Sequence, residues 1–116
     1  MNSKREMPSQ GDVIWIDLNE VNSTGHEEKG RRPALVISTN KFNNMNGGIV
    51  KVIPITTSSH NFPFHIKLPE EFKVKGKLMI EQEREIDVVK RNYEVYCHLP
   101  SELVKKIIEI FLTCFK

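Results

Sequence analysis

The sequence predicts a mainly β domain, a small barrel-like unit of five to seven short antiparallel strands followed by one C-terminal amphipathic helix. Three observations carry that prediction. Runs of β-branched and aromatic residues recur between polar or glycine-rich links. From Ser101 onward the pattern changes, and Leu103, Val104, Ile107, Ile108, Phe111, Leu112 and Phe115 recur at helical spacing. At 116 residues the chain can hold one core and is too short for two.

The elements follow in order. Residues 1–10 read as a loose polar tail and residues 11–116 as a single domain. Gly11 opens the first strand, "DVIWIDL", Asp12 to Leu18. The link "NEVNSTGHEEKGRR" has no apolar periodicity apart from Val21. Links this long in a small domain are often functional. Proline can begin a strand but breaks the ladder in its middle, so "PALVIST" is expected to start at Pro33. "NKFNNMNGG" reads as a turn region, and "IVKVIPITT" as a strand with Pro54 at an edge or a bulge. "SSHN" is a polar link into the extended "FPFHIKL". Shorter extended segments follow in "GKLMIEQ" and "IDVVKRNYEVYCHL". Ser101 is placed to cap the terminal helix after Pro100, and Glu102 suits the positive end of its dipole.

Composition excludes several classes. A formal net charge of +2 allows a polyanionic partner without arguing for one. No apolar run approaches the roughly 20 residues of a membrane span. The N-terminus lacks the apolar middle of a secretory signal, so a cytoplasmic location is expected. Cys97 and Cys114 have no CxxC partner and sit in apolar surroundings, which predicts two buried, reduced thiols. There is no phosphate loop, dinucleotide fingerprint or HExxH. His26, His60, His65 and His98 lack metal-ligand spacing, so neither metal nor cofactor is expected.

What remains is a pair of strand ends. Arg31 and Arg32 stand at the mouth of "PALVIST", and Thr56 and Thr57 close "IVKVIPI". If these strands are antiparallel neighbours, the start of one lies beside the end of the other. A guanidinium is a planar fork of donors matched to phosphate oxygens and stays charged at every working pH. With a threonine hydroxyl beside it, it suits the extra negative charge of a pentacoordinate phosphoryl transition state. The plainer reading is a solvated arginine at a strand end and ordinary strand threonines.

"GDVIWIDL", "GRRPALVIS", "VIPITTSSHNFPFHIKL" and "LMIEQEREID", in this order across residues 10 to 113, resemble the MazF/PemK family of toxins. The resemblance implies an SH3-like barrel with a terminal helix, a homodimer, and a cognate antitoxin whose acidic tail fills an RNA groove. It implies metal-independent, sequence-specific cleavage of single-stranded messenger RNA. The RNA's own 2′-hydroxyl attacks, leaving a 2′,3′-cyclic phosphate and a 5′-hydroxyl. Motif by motif, the resemblance makes Arg32 and Thr56 the catalytic pair. Glu27, an acidic loop residue, Thr57 and Gln82 become RNA-binding candidates; Arg31, where this sequence departs from some relatives, is a further one as a second cation that could bind an adjacent phosphate or stay solvated. Gly11, Asp12, Trp15 and Pro33 match motif positions and read as fold residues. Phe62 and Phe64 could stack bases or pack in the core. The segment from Asn19 to Arg31 is the natural gate. An alternative on the same barrel is a gyrase-poisoning toxin that binds a protein partner and cleaves nothing. A third reading is an RNA-binding or dimerisation module with a decayed site.

Overall fold

Val13 and Ile14 are neighbours in the first strand, and neither touches solvent. Successive residues of a strand point to opposite faces, so this sheet buries both. The structure, a computed structural model, describes residues 7–18, 31–45, 47–57 and 65–115. In chain order its elements are β1 (Asp12–Asp17), β2 (Arg31–Val36), α1 (Asn40–Met45), β3 (Ile49–Thr56), β4 (His65–Lys67), β5 (Lys77–Met79), β6 (Arg84–Asp87), β7 (Glu94–His98) and α2 (Ser101–Leu112). Every strand pair is antiparallel. The strand order is β4-β5-β3-β2-β1-β7, with β6 also on β3. Strand number and terminal helix match the sequence's expectation. Among the described residues no pairing joins β4 to β7, so the barrel is not closed.

Two apolar clusters explain the unbroken runs in the sequence. Val13, Leu35, Ile53 and Ile55 face one side, where Val104 and Ile107 of α2 cover them. Ile14, Ile16, Ala34, Val36, Val50 and Val52 face the other side, with Ile86 and Val88. Leu103, Ile108 and Phe111 flank the buried stripe of α2. Leu112 and Phe115 were expected on that stripe but are exposed. A 3₁₀ turn at Thr113–Phe115 breaks the helical step, and Phe115 meets Phe111 edge-on at 5.2 Å instead.

Local details correct several expectations. β2 begins at Arg31, with Pro33 inside it. Only β1 pairs with that part of β2, because pairing to β3 starts at Ala34. The missing Pro33 N–H therefore leaves no bond to β3 unmade. The Asn-rich segment expected as a turn forms α1. The Thr39 hydroxyl accepts from the Phe42 N–H at 3.1 Å and caps it. Pro100, extended at φ −60°, caps α2, and Ser101 is its first residue with no capping side-chain bond. Cys114 is exposed and Cys97 half-buried, so the pair is not two buried thiols.

Residues assigned to the tail take part in packing. Met7 packs against the second cluster, and the buried Asn43 amide donates to the Pro8 carbonyl at 2.9 Å. No described helix is long and apolar enough to cross a membrane.

Candidate active site

β3 exchanges partners along its length, and a cleft opens where it does so. One edge pairs with β6 from Ile49 to Val52 and with β5 at Ile55 and Thr56. Pro54, unable to donate, sits between the two pairings. The other edge pairs with β2 from Val52 to Pro54 and then stops. Beyond that point β2 is held only by β1, and β3 only by β5. Extended past its last pair, Ala34↔Pro54, the register brings Arg32 and Thr56 together two residues on and Arg31 and Thr57 three residues on.

The cleft has a volume of about 530 Å³. Arg31, Arg32 and Pro33 form one wall, and Ile55, Thr56 and Thr57 the facing wall. Lys73, Val74 and Lys75 supply a third side, with Trp15 and Tyr96 completing the lining. Four of these side chains are cations, and none of the described lining residues is a carboxylate. Such a cleft concentrates positive potential on whatever enters it.

The two arginines are held differently. Arg31 donates to the Asn92 carbonyl at 3.2 Å and to the Trp15 carbonyl at 3.4 Å, and lies 3.7 Å from Glu94. It braces the start of β2 against the strand beyond β1. Arg32 is exposed and makes no ion pair or side-chain hydrogen bond with any described residue. Among the described residues no carboxylate occupies its guanidinium.

The loop bearing the lysines is pinned to the wall that carries Thr56. Val74 is buried in the first cluster, while Lys73 and Lys75 on either side of it are exposed. Gly76, at φ +123°, then passes so close to the Thr56 carbonyl that a Cβ would lie 2.5 Å from its oxygen. Lys75 donates to the Glu70 carbonyl, and the Leu68 N–H to the Gly76 carbonyl at 2.9 Å.

Trp15 and Tyr96 meet edge to face, their centroids 5.6 Å apart. Tyr96 reaches this position through a β-bulge. Val13 faces Cys97 but Ile14 faces Val95, which leaves Tyr96 as the extra residue. As a result Tyr96 and Cys97, though adjacent, pack on the same cluster. The Lys73 ammonium lies 4.8 Å from the centre of the Tyr96 ring.

Of the residues singled out from the sequence, the structure gathers Arg31, Arg32, Thr56 and Thr57 in one cleft. Gln82 is exposed on a 3₁₀ turn and does not line it. Glu27, Phe62, Phe64 and the gate segment up to Gly30 lie outside the described residues. Trp15 was read as a fold residue, yet it belongs to neither apolar cluster and lines the cleft. Sequence reasoning missed Tyr96, Lys73 and Lys75. The two lysines around a single valine were the available signal, whereas nothing in the sequence marks the bulge. Among the described residues no group of three or more His, Cys, Asp or Glu is placed to hold a metal.

Known proteins share this architecture. The family described as "PemK-like, MazF-like toxin of type II toxin-antitoxin system" matches residues 9–115. The Escherichia coli (strain K12) endoribonuclease toxin MazF is 39% identical over 64 residues, which cover 55% of each chain. The aligned part thus spans about half the length of that relative. The Mycobacterium tuberculosis protein Rv3098A is 30% identical over 101 residues, covering 87% of this chain and 91% of that one. The crystal structure of MazF (Form-I) from Deinococcus radiodurans superposes with a TM-score of 0.78 at 26% identity. That superposition covers 95% of this chain and 97% of the other.

Proposed function

Because this chain belongs to the family of PemK-like, MazF-like toxins of type II toxin-antitoxin systems, we propose that it is an endoribonuclease that cuts single-stranded messenger RNA at a short sequence. The observation that carries this reading is the placement of Arg32 and Thr56 on facing walls of one cationic cleft. An RNA strand in the cleft presents a phosphodiester between them. The 2′-oxygen attacks the adjacent phosphorus as its proton leaves, the P–O5′ bond breaks, and O5′ takes up a proton. The products are a 2′,3′-cyclic phosphate and a 5′-hydroxyl. The Arg32 fork donates to the phosphoryl oxygens as they gain charge, and Thr56 orients the phosphate. An arginine holds its proton at every working pH, so its part is electrostatic. No step in this scheme draws on a metal.

The working unit in this proposal is a homodimer in the cytoplasm, restrained by a cognate antitoxin whose acidic segment competes with RNA for the cationic cleft. A gyrase-poisoning toxin would give Arg32 and Thr56 no reason to share a cleft, and their placement favours the nuclease. The test is incubation of the protein with a long defined RNA in EDTA, beside Arg32→Ala, with fragment ends mapped. Recurring cuts at one short motif with 5′-hydroxyl ends, absent with the variant, are expected. Intact RNA from folded wild-type protein would overturn the reading.

A further inference from the structure

We infer that Trp15 and Tyr96 form a nucleobase subsite, which receives the base of a nucleotide flanking the phosphate held at Arg32 and Thr56. This rests on the nuclease reading and deepens it. Both rings are only half-buried, and both line the same cleft as the catalytic pair. Aromatic rings of this size normally bury in a core, and Tyr96 packs against the first cluster. Trp15 stays out of it, and Tyr96 is turned toward Trp15 by a bulge that interrupts the β1–β7 ladder. Bulges re-aim side chains in this way beside functional sites.

The surroundings select the occupant. Four cations and no carboxylate among the described lining residues favour a polyanion. Aromatic faces inside such a groove favour a polyanion that carries flat rings, which is single-stranded nucleic acid. Lys73, with its ammonium over Tyr96, steadies that ring and keeps a positive charge where the strand's next phosphate passes. Trp15 pairs through its backbone with Pro33, one residue from Arg32, so the platform and the phosphate grip are set at a fixed separation.

Trp15 is the only tryptophan in the chain, so its fluorescence reads this site alone. The probe is a labelled RNA 13-mer carrying the motif mapped for the wild type, with a 2′-deoxy group at the cut nucleotide to block attack. Two further probes have an abasic residue on one or the other side of the scissile phosphate. Binding of the intact probe is expected to quench Trp15. One abasic probe is expected to lose the quench and bind about tenfold more weakly. Trp15→Leu and Tyr96→Leu should raise KM about tenfold with kcat little changed, and Trp15→Phe should restore most of the loss. Their thermal unfolding identifies any variant that fails to fold, and the abasic probes test the folded wild type independently.

If the wild type cuts RNA and binds the probe, but fluorescence stays constant or both abasic probes bind as tightly as the parent, the subsite is overturned and the nuclease stands. If the wild type neither cuts the long RNA nor binds a random-sequence 13-mer pool, the nuclease reading falls and the subsite falls with it.

Discussion

Gly76 crosses the Thr56 carbonyl so closely that a methyl group on its Cα would lie 2.5 Å from the oxygen. Its φ of +123° is also one that side chains rarely adopt. Gly76→Ala is therefore expected to shift the Thr56 wall as well as strain the loop. Unfolding should be eased by about 3 kcal/mol, and RNA cleavage should fall about a hundredfold. Gly47→Ala is the control. Gly47 has φ +61° and nothing within 4 Å, so the cost should be about 1 kcal/mol with cleavage unchanged. Thermal unfolding and a cleavage assay on the same preparations check both.

Arg32→Ala should leave stability within about 0.5 kcal/mol, since the side chain is exposed and pairs with no described residue. Cleavage should fall about 10²- to 10³-fold. Arg31→Ala should do the reverse. It frees the Asn92 and Trp15 carbonyls and costs up to about 1 kcal/mol, with a smaller loss of rate. Single-turnover cleavage beside urea unfolding separates the two arginines.

Asn43→Leu is expected to destabilise by about 1–3 kcal/mol. Asn43 is 1% exposed, donates to the Pro8 and Ser38 carbonyls, and bonds to the Ser38 hydroxyl, which accepts from the Lys51 N–H. Leucine would leave those groups buried without partners. Urea unfolding should show the midpoint falling at constant slope.

Burial pushes the Glu83 carboxyl above its ordinary range, against the attraction of Lys51 3.8 Å away. The folded state then holds this proton at a pH where the unfolded chain has released it. The stabilisation linked to Glu83 is full below the unfolded pKa and is lost as pH rises through the folded one. Glu83→Gln has no such dependence, so its stability relative to wild type should improve from about pH 4 to pH 7. Unfolding curves across that range give the sign directly.

Thiol labelling should resolve two rates. Cys114 is exposed and should react at once with a disulfide reagent. Burial pushes the Cys97 thiol up, which lowers its thiolate fraction, so it should react at least about tenfold more slowly. Equal rates would contradict the packing of β7.

The meeting of Arg32 and Thr56 in one cleft was legible in the sequence because it depends on a strand register. Two apolar strands, each ending in a chemically distinctive residue, could only juxtapose Arg32 with Thr56 if paired antiparallel. The terminal helix was legible from its spacing as far as Phe111. The rest depended on features that no local pattern encodes. Trp15 sits in "VIWI", a run buried on both faces, so alternation could not distinguish core from cleft. Tyr96 depends on one extra residue in β7, which is defined only by its partner strand. α1 rests on the Thr39 cap within an Asn-rich segment whose composition favours turns. Pro33 lies inside a strand because its second neighbour ends one residue short of it.

The pairing of β7 with β1 has a consequence for synthesis. Asp12 and His98, bonded at 2.8 Å, stand 86 residues apart in the chain. On the ribosome β1, β2 and β3 emerge long before β7, and the Tyr96 side of the cleft is missing until nearly the whole domain has been translated. Contacts so distant in sequence also make folding slow. A nascent chain thus lacks one side of the cleft for most of its time on the ribosome, and truncated products that end before β7 never gain it. The cleft is complete only once β7 has paired with β1.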